Sequence, residues 1–141
     1  MRFKSRQIER CEFIPVEFTC DGANVSPEFE WWRVSDRVKF FALIVDDPDA
    51  IPVVGKIFAH FGVVNLPGSL RRLETNQNFA VFPTAVVLRN DFGKIGWGGP
   101  CPPLGDDPHK YRFNLYGLDS LVTVDPNIPL VAEINLQKEM V

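Results

Sequence analysis

Three carboxylates follow a short apolar segment and are the first residues that suggest chemistry. Asp46, Asp47 and Asp49 come directly after residues 40–45, with Pro48 between them. Carboxylates this close repel one another unless hydrogen-bond donors or cations hold them. A capped turn explains the same pattern, because Asp favours turns and proline presets their backbone angle. The residues alone leave both a plain turn and a functional cluster open.

The chain has two histidines, His60 and His109. His60 lies inside an apolar segment, where a histidine is more often a hydrogen-bonded core residue than a functional one. His109 follows a stretch rich in glycine and proline. Two imidazoles, the carboxylates and a preorganised loop would make a small polar cavity if they converged. Spacing in the sequence does not show that convergence.

Strand signals dominate the elements that must position these residues. The segments with apolar or alternating patterns and many β-branched or aromatic residues are 39–47, 57–67 and 109–119, with weaker candidates at 28–32 and in the first dozen residues. Pro83 weakens a further candidate at 79–88. One helix is predicted at 128–140, after a possible Asn127 cap. The sequence predicts a mainly β chain forming a single domain over 1–141.

Residues 93–110 form a long connection with almost no capacity for regular structure. Connections of this length inside a compact domain are usually disordered or functional. Proline restricts φ and glycine permits unusual φ, so the mixture favours one rigid shape. We therefore expect this segment to form one wall of a site.

Composition excludes several classes of function. Fifteen basic and eighteen acidic residues give a formal charge of −3, which argues against nucleic-acid binding and against adsorption to an anionic membrane. The basic residues of the first ten positions and Arg71-Arg72 are interpreted as solvated surface. The longest apolar run, residues 40–45, is too short to cross a bilayer, and the first residues lack a signal-peptide pattern. A soluble, cytoplasmic protein without stable membrane insertion is expected.

The three cysteines are Cys11, Cys20 and Cys101. Their spacings match no CxxC pattern, so neither a zinc site nor any other metal site is predicted. In a cytoplasmic chain the expectation is a reduced thiol that serves as a small apolar residue. Cys20 and Cys101 both lie in motifs described next and could be near each other.

Four segments occur in an order that resembles a known family: FTCDGANVSPEFEW (18–31), DPDA (47–50), FAHFGVVNLP (58–67) and NDFGKIGWGGPCPPLGDDPHKYRFNLYGLD (90–119). They resemble the phosphatidylethanolamine-binding protein (PEBP) family, in particular its bacterial and archaeal branch of Raf-kinase-inhibitor-like proteins. GGPCPP followed by HKY is the most specific part, whereas DPDA alone is weak.

The resemblance implies a β-sandwich of two antiparallel sheets with few short helices and a ligand pocket at one end. In the family this pocket holds small anions such as phosphate or a phospholipid headgroup. Carried over residue by residue, the ligand-binding positions are Asp47, Asp49, His60, Gly99, Pro103, His109 and Tyr111.

Several positions depart from the family pattern. Ile51 stands where the DPDAP motif has its last proline, Ala59 precedes the pocket histidine, and Lys110 replaces the arginine of HRY. Lysine keeps that charge but loses the fork geometry of arginine. The chain also ends after its predicted helix, where family members continue into a final strand. The missing final strand is expected to affect the C-terminal edge of the pocket.

The leading hypothesis is noncatalytic binding of a small anionic or phosphorylated ligand, without a cofactor, by a monomer or homodimer. A regulatory protein partner such as a kinase is an extension of the resemblance. One alternative is a hydrolase that uses Asp47, His60 and His109 on a phosphate or other ester. The chain has no GxSxG, P-loop or HExxH motif, so an enzyme is not expected. The other alternative is an interaction module with a vestigial pocket.

Overall fold

The structure is a computed structural model that describes residues 1–101, 105 and 108–124. Its strands are β1 (Arg2–Lys4), β2 (Phe29–Trp32), β3 (Phe40–Asp47), β4 (Phe58–Pro67), β5 (Arg72–Leu73), β6 (Val86–Val87) and β7 (Arg112–Leu118). The short helix α1 spans Ile51–Val54, and single 3₁₀ turns span Val16–Phe18, Pro48–Ala50 and Phe79–Val81. The predicted helix at 128–140, Pro103 and any further strand at the C-terminal end lie outside the described residues.

The strands form two antiparallel sheets, in the orders β1-β2-β5 and β6-β4-β3-β7. This confirms the expected mainly β fold and the strands predicted at 39–47, 57–67 and 109–119. The segment 79–88 has the interruption expected near Pro83, with a 3₁₀ turn followed by the two-residue strand β6. Proline cannot donate to a strand ladder, so a long strand does not form there.

The larger core lies between the two sheets. Phe29 and Trp31 of β2 pack in one cluster with apolar side chains of β3 and β4, including Phe41 and Phe61. A second cluster contains Ala42 of β3 and other apolar side chains of the four-stranded sheet that point to the face opposite the first cluster. The four-stranded sheet is therefore covered on both faces, which explains why β3 and β4 are nearly continuous apolar runs instead of alternating ones.

The pairing of β3 brings two distant parts of the chain to one edge of the larger sheet. Because β7 runs antiparallel to β3, Asp46 at the end of β3 lies opposite Arg112 at the start of β7. On the other side, Asp47 lies opposite Phe58 at the start of β4. The residues that follow β3 and those that precede β7 therefore meet at the same end of the sandwich.

Candidate functional site

Asp47 and His109 form the central contact of this end of the sandwich. Oδ2 of Asp47 lies 2.6 Å from Nδ1 of His109, and their side chains are only 4% and 9% exposed. The contact joins the end of β3 to the segment just before β7, 62 residues apart. A carboxylate in this position orients the imidazole ring and accepts its Nδ1 proton.

The acidic turn after β3 is a capped turn whose carboxylates also contact the segment that carries His109. The backbone N–H of Asp49 donates to Oδ1 of Asp47 at 2.9 Å, which is a capped turn. Asp49 in turn accepts from the backbone N–H of Lys110 at 2.7 Å through Oδ2. The turn thus also ties the carboxylates to the histidine segment. Asp46 points away from this network and pairs with Arg112.

His60 is buried, with 3% of its surface exposed. Its Nδ1 lies 2.6 Å from the carbonyl oxygen of Gly98, while its own carbonyl accepts from the N–H of Gly98 at 2.9 Å. A carbonyl can only accept, so Nδ1 carries the proton and Nε2 is the acceptor of the neutral ring. Burial lowers the pKa of His60, and the contact with Gly98 and the charge of Asp47 offset this only in part.

The ring of Tyr111 lies near both histidines. It lies edge-on to His60 with 5.3 Å between centroids, and 6.4 Å from the ring of His109. Burial, followed by the negative charges of Asp47 and Asp49, raises the pKa of Tyr111 to about 12. The phenol therefore stays protonated and can act as a donor throughout the neutral range.

The glycine-rich wall packs closely against the segment that follows the first 3₁₀ turn. The N–H of Gly99 donates to Oδ1 of Asn24 at 2.8 Å, and a Cβ at Gly99 would lie 1.9 Å from the carbonyl oxygen of Phe18. Glycine is required here because the backbones approach so closely. The amides of Gly98 and Gly99 are thus both occupied by protein acceptors. Asn24 was missed by sequence reasoning, and its place in an ordinary-looking turn gave no signal.

The expectation of reduced cysteines was wrong for two of the three. Cys20 and Cys101 form a disulfide with 5.4 Å between their Cα atoms, and the N–H of Cys20 donates to the carbonyl of Pro100. The bond ties the segment containing Asn24 to the glycine-rich wall. Cys11 is exposed and unpaired. The thiols were expected to be reduced because the chain was taken as cytoplasmic, and a stable disulfide is typical of oxidising compartments.

Among the described residues, no group of three or more His, Cys, Asp or Glu side chains is arranged to hold a metal ion. Within the same part of the chain, no helix is long and apolar enough to cross a membrane. Ile51, the departure from the DPDAP pattern, begins α1 with a half-exposed side chain. It therefore lies beside the acidic turn without replacing any of its polar contacts.

The structure brings Asp47, Asp49, His60, His109 and Tyr111 to one end of the sandwich, with Gly99 in the adjoining wall. The fold is that of PEBP-like sandwiches. The crystal structure of Escherichia coli YbcL, described as a new member of the mammalian PEBP family, superposes with a TM-score of 0.89 and 34% identity, covering 99% of this chain and 91% of that one.

Sequence comparison agrees. The phosphatidylethanolamine-binding protein family model matches residues 4–140, and the chain therefore belongs to that family. A UPF0098 protein of Aquifex aeolicus is 40% identical over 121 residues, which are 84% of this chain and 68% of that protein. The UPF0098 protein YbcL of E. coli is 41% identical over 115 residues, 78% of this chain and 62% of that protein.

Proposed function

We propose that this protein binds a small anionic or phosphorylated ligand, without chemical turnover, among Asp47, His60, His109 and Tyr111. The observation that carries the proposal is the 2.6 Å contact between Asp47 and His109, which joins the end of β3 to the segment before β7 at a buried polar site. Buried carboxylates and imidazoles are destabilising unless they are paired. A buried Asp–His pair beside a second buried histidine and a tyrosine supports a ligand site at this end of the sandwich.

The hydrogen-bonding roles of the side chains define what the ligand must offer. Tyr111 is a donor, because its pKa is raised to about 12, and it suits a phosphate or carboxylate oxygen. Nε2 of neutral His60 is an acceptor, so it requires a donor from the ligand. The best ligand therefore carries both an oxyanion and a donor, either a P–OH group or an ammonium group.

An ammonium group would also suit the acidic turn. Asp49 is exposed and carries a carboxylate next to the buried Asp47. The carboxylates near the site would repel a simple dianion but would attract the positive end of a zwitterion. Phosphoethanolamine combines the phosphate and the ammonium in one small molecule. The glycine amides contribute no donors here, because Gly98 and Gly99 already donate to His60 and Asn24.

The proposal is tested by titrating ¹⁵N-labelled protein with inorganic phosphate, O-phosphoethanolamine and acetate. We expect saturable shifts at Asp47, His60, Gly99 and His109, with O-phosphoethanolamine binding more tightly than the other two. His60→Ala should weaken binding roughly tenfold, by removing one charge-assisted contact. The matched control is Asn114→Ala, on β7 but away from this end. The absence of saturable shifts with all three compounds would refute the proposal.

A hydrolase is the second candidate, because a carboxylate that orients an imidazole is also a common arrangement in general acid–base catalysis. Turnover of a chromogenic phosphate ester that is lost in His60→Ala and His109→Gln would favour it. Turnover that persists in both variants would point to a contaminant. A regulatory protein partner remains a prediction, to be tested by a pull-down repeated with the His60→Ala variant.

A further inference from the structure

The Cys20–Cys101 disulfide fixes the glycine-rich wall between its two connections to the candidate site. Gly98, three residues before Cys101, contacts His60, and His109 follows eight residues after Cys101. The binding proposed above does not involve the sulfur atoms themselves. Their position in the wall nevertheless suggests that the bond controls the geometry of the site.

Two hydrogen bonds accompany the disulfide and join the wall to the chain around Cys20. Nε1 of Trp97 donates to the carbonyl oxygen of Phe18 at 3.0 Å, and the N–H of Gly99 donates to Oδ1 of Asn24 at 2.8 Å. The chain around Cys20 is itself anchored, because the side chain of Phe18 is fully buried in the fold. The disulfide therefore holds the wall against a fixed part of the molecule.

The wall in turn holds His60. Nδ1 of His60 donates to the carbonyl oxygen of Gly98 at 2.6 Å, and the N–H of Gly98 donates to the carbonyl of His60 at 2.9 Å. The first of these bonds keeps the proton on Nδ1 and leaves Nε2 as the acceptor. An outward displacement of Gly98 by about 1 Å would lengthen this bond to about 3.6 Å, at which distance it no longer forms.

The disulfide lies at the surface, whereas the histidine that it helps to position does not. Cys20 and Cys101 are both exposed, and His60 is buried. A thiolate must reach one of the sulfur atoms to break a disulfide, and exposed disulfides are the labile and regulatory ones. A reductant can therefore act on this bond without opening the core.

We propose that the Cys20–Cys101 disulfide is a redox switch for ligand binding at the candidate site. In the oxidised protein the wall is fixed and His60 presents Nε2 to the ligand. A dithiol reductant supplies two electrons and two protons: the S–S bond of the protein breaks to give two thiols, and the reductant forms its own S–S bond. The wall then keeps only its hydrogen bonds, and the site binds more weakly. This inference rests on the proposed function, since it concerns the affinity for the same ligand.

Thermodynamic linkage adds a reciprocal consequence. If reduction weakens ligand binding by a given factor, the ligand must make the disulfide harder to reduce by the same factor. Loss of the hydrogen bond between His60 and Gly98 corresponds to a factor of about ten. The switch can therefore be measured from either side, as a change in affinity or as a change in the thiol–disulfide equilibrium.

The test compares the oxidised and reduced protein in their binding of O-phosphoethanolamine. Cys11→Ser provides the background, because it removes the one free thiol that could exchange with the disulfide. Titration of this ¹⁵N-labelled protein with and without dithiothreitol should show about tenfold weaker binding after reduction. Histidine ¹⁵N spectra should show that part of the reduced population carries the proton of His60 on Nε2. In a buffer of reduced and oxidised dithiothreitol, the ligand should shift the equilibrium towards the disulfide by the same factor.

Variants separate the switch from a general loss of stability. Cys20→Ser combined with Cys101→Ser should bind as weakly as the reduced protein, and dithiothreitol should change it no further. Asn24→Gly keeps the disulfide and suits the positive φ of 56° at this position, but removes the acceptor of the Gly99 amide. It should weaken binding about threefold and shift the His60 signals in the same direction. Asn76→Gly, at an exposed position with a φ of 54°, is the matched control and should change neither.

The outcomes distinguish this inference from the function on which it rests. Equal affinity before and after reduction, with unchanged His60 signals, would overturn the switch and leave the proposed function standing. Loss of all native signals on reduction would also overturn it, because the disulfide would then be required for the fold and not for the site. No saturable shift with phosphate, O-phosphoethanolamine or acetate in either redox state would refute the proposed function itself, and the switch with it.

Discussion

Replacing Asp47 by asparagine tests whether the buried carboxylate organises the site. The substitution preserves the shape of the side chain but leaves only one oxygen to serve two contacts, with Asp49 N–H at 2.9 Å and His109 Nδ1 at 2.6 Å. If the asparagine oxygen keeps the turn, its NH₂ group faces His109. That ring must then accept at Nδ1 and carry its proton at Nε2, so its tautomer reverses.

The expected magnitude follows from the bonds exchanged. A hydrogen bond to a charged group contributes about 1.5–3 kcal/mol to stability and a neutral one about 0.5–1.5 kcal/mol. Asp47→Asn should therefore lower the free energy of unfolding by about 1–2 kcal/mol. The side chains of Asp47 and His109 are only 4% and 9% exposed, so solvent screening reduces this little.

The neighbouring residue provides a matched control. Asp46 makes a two-pronged pair with Arg112 at 2.7 and 3.0 Å, but the arginine side chain is 49% exposed. Exposed ion pairs contribute about 0.2–1 kcal/mol. Asp46→Asn should therefore lower the free energy of unfolding less than Asp47→Asn does, even though the ion pair of Asp46 has two hydrogen bonds. Urea unfolding followed by tryptophan fluorescence measures both, and histidine ¹⁵N spectra report the tautomer of His109. A larger loss in Asp46→Asn, or an unchanged tautomer in Asp47→Asn, would refute this reasoning.

Three further predictions concern the wall and the buried histidine. Replacing both Cys20 and Cys101 by serine should lower the free energy of unfolding by about 2–4 kcal/mol, because the bond closes a loop with a sequence separation of 81; a urea titration that shows no loss would contradict this. Gly99→Ala should destabilise by about 1–3 kcal/mol, since its Cβ would lie 1.9 Å from the Phe18 carbonyl; an unchanged midpoint of urea unfolding would refute this. The pKa of His60 is lowered, so the unfolded chain takes up its proton first as the pH falls below the usual value of 6.5. Stability should therefore be fully present above pH 6.5 and decrease below it, and His60→Gln should flatten this part of a pH–stability curve.

The strands could be predicted from the sequence because β3, β4 and β7 are dense in β-branched and aromatic residues, and such local patterns need no knowledge of the partner strand. The contact between Asp47 and His109 could not be predicted from such local patterns, because it depends on the register between β3 and β7. Only the resemblance to a family suggested it.

Pairing of distant segments also explains what was missed. The cysteines at 20 and 101 match no local motif, and their closeness depends on how the wall folds back on the first 3₁₀ turn. The basic residues near the N-terminus and Arg71-Arg72 were interpreted as separate solvated surface. Lys4, Arg71 and Arg72 are exposed as expected, but nothing in the sequence indicated that the register of β1, β2 and β5 places Lys4 and Arg72 in one row with Glu30.

The disulfide also divides the molecule covalently. Strands β2 to β6 lie within the ring that it closes, whereas β1 and β7 lie outside it. A single protease cut between residues 20 and 101 therefore opens the ring without releasing a fragment, and the two pieces separate only after reduction. Asp47 and His60 thus lie inside the covalent ring, whereas His109 and Tyr111 lie outside it and are held against it by the pairing of β7 with β3 and by the contacts of Asp47 with His109 and of Asp49 with Lys110.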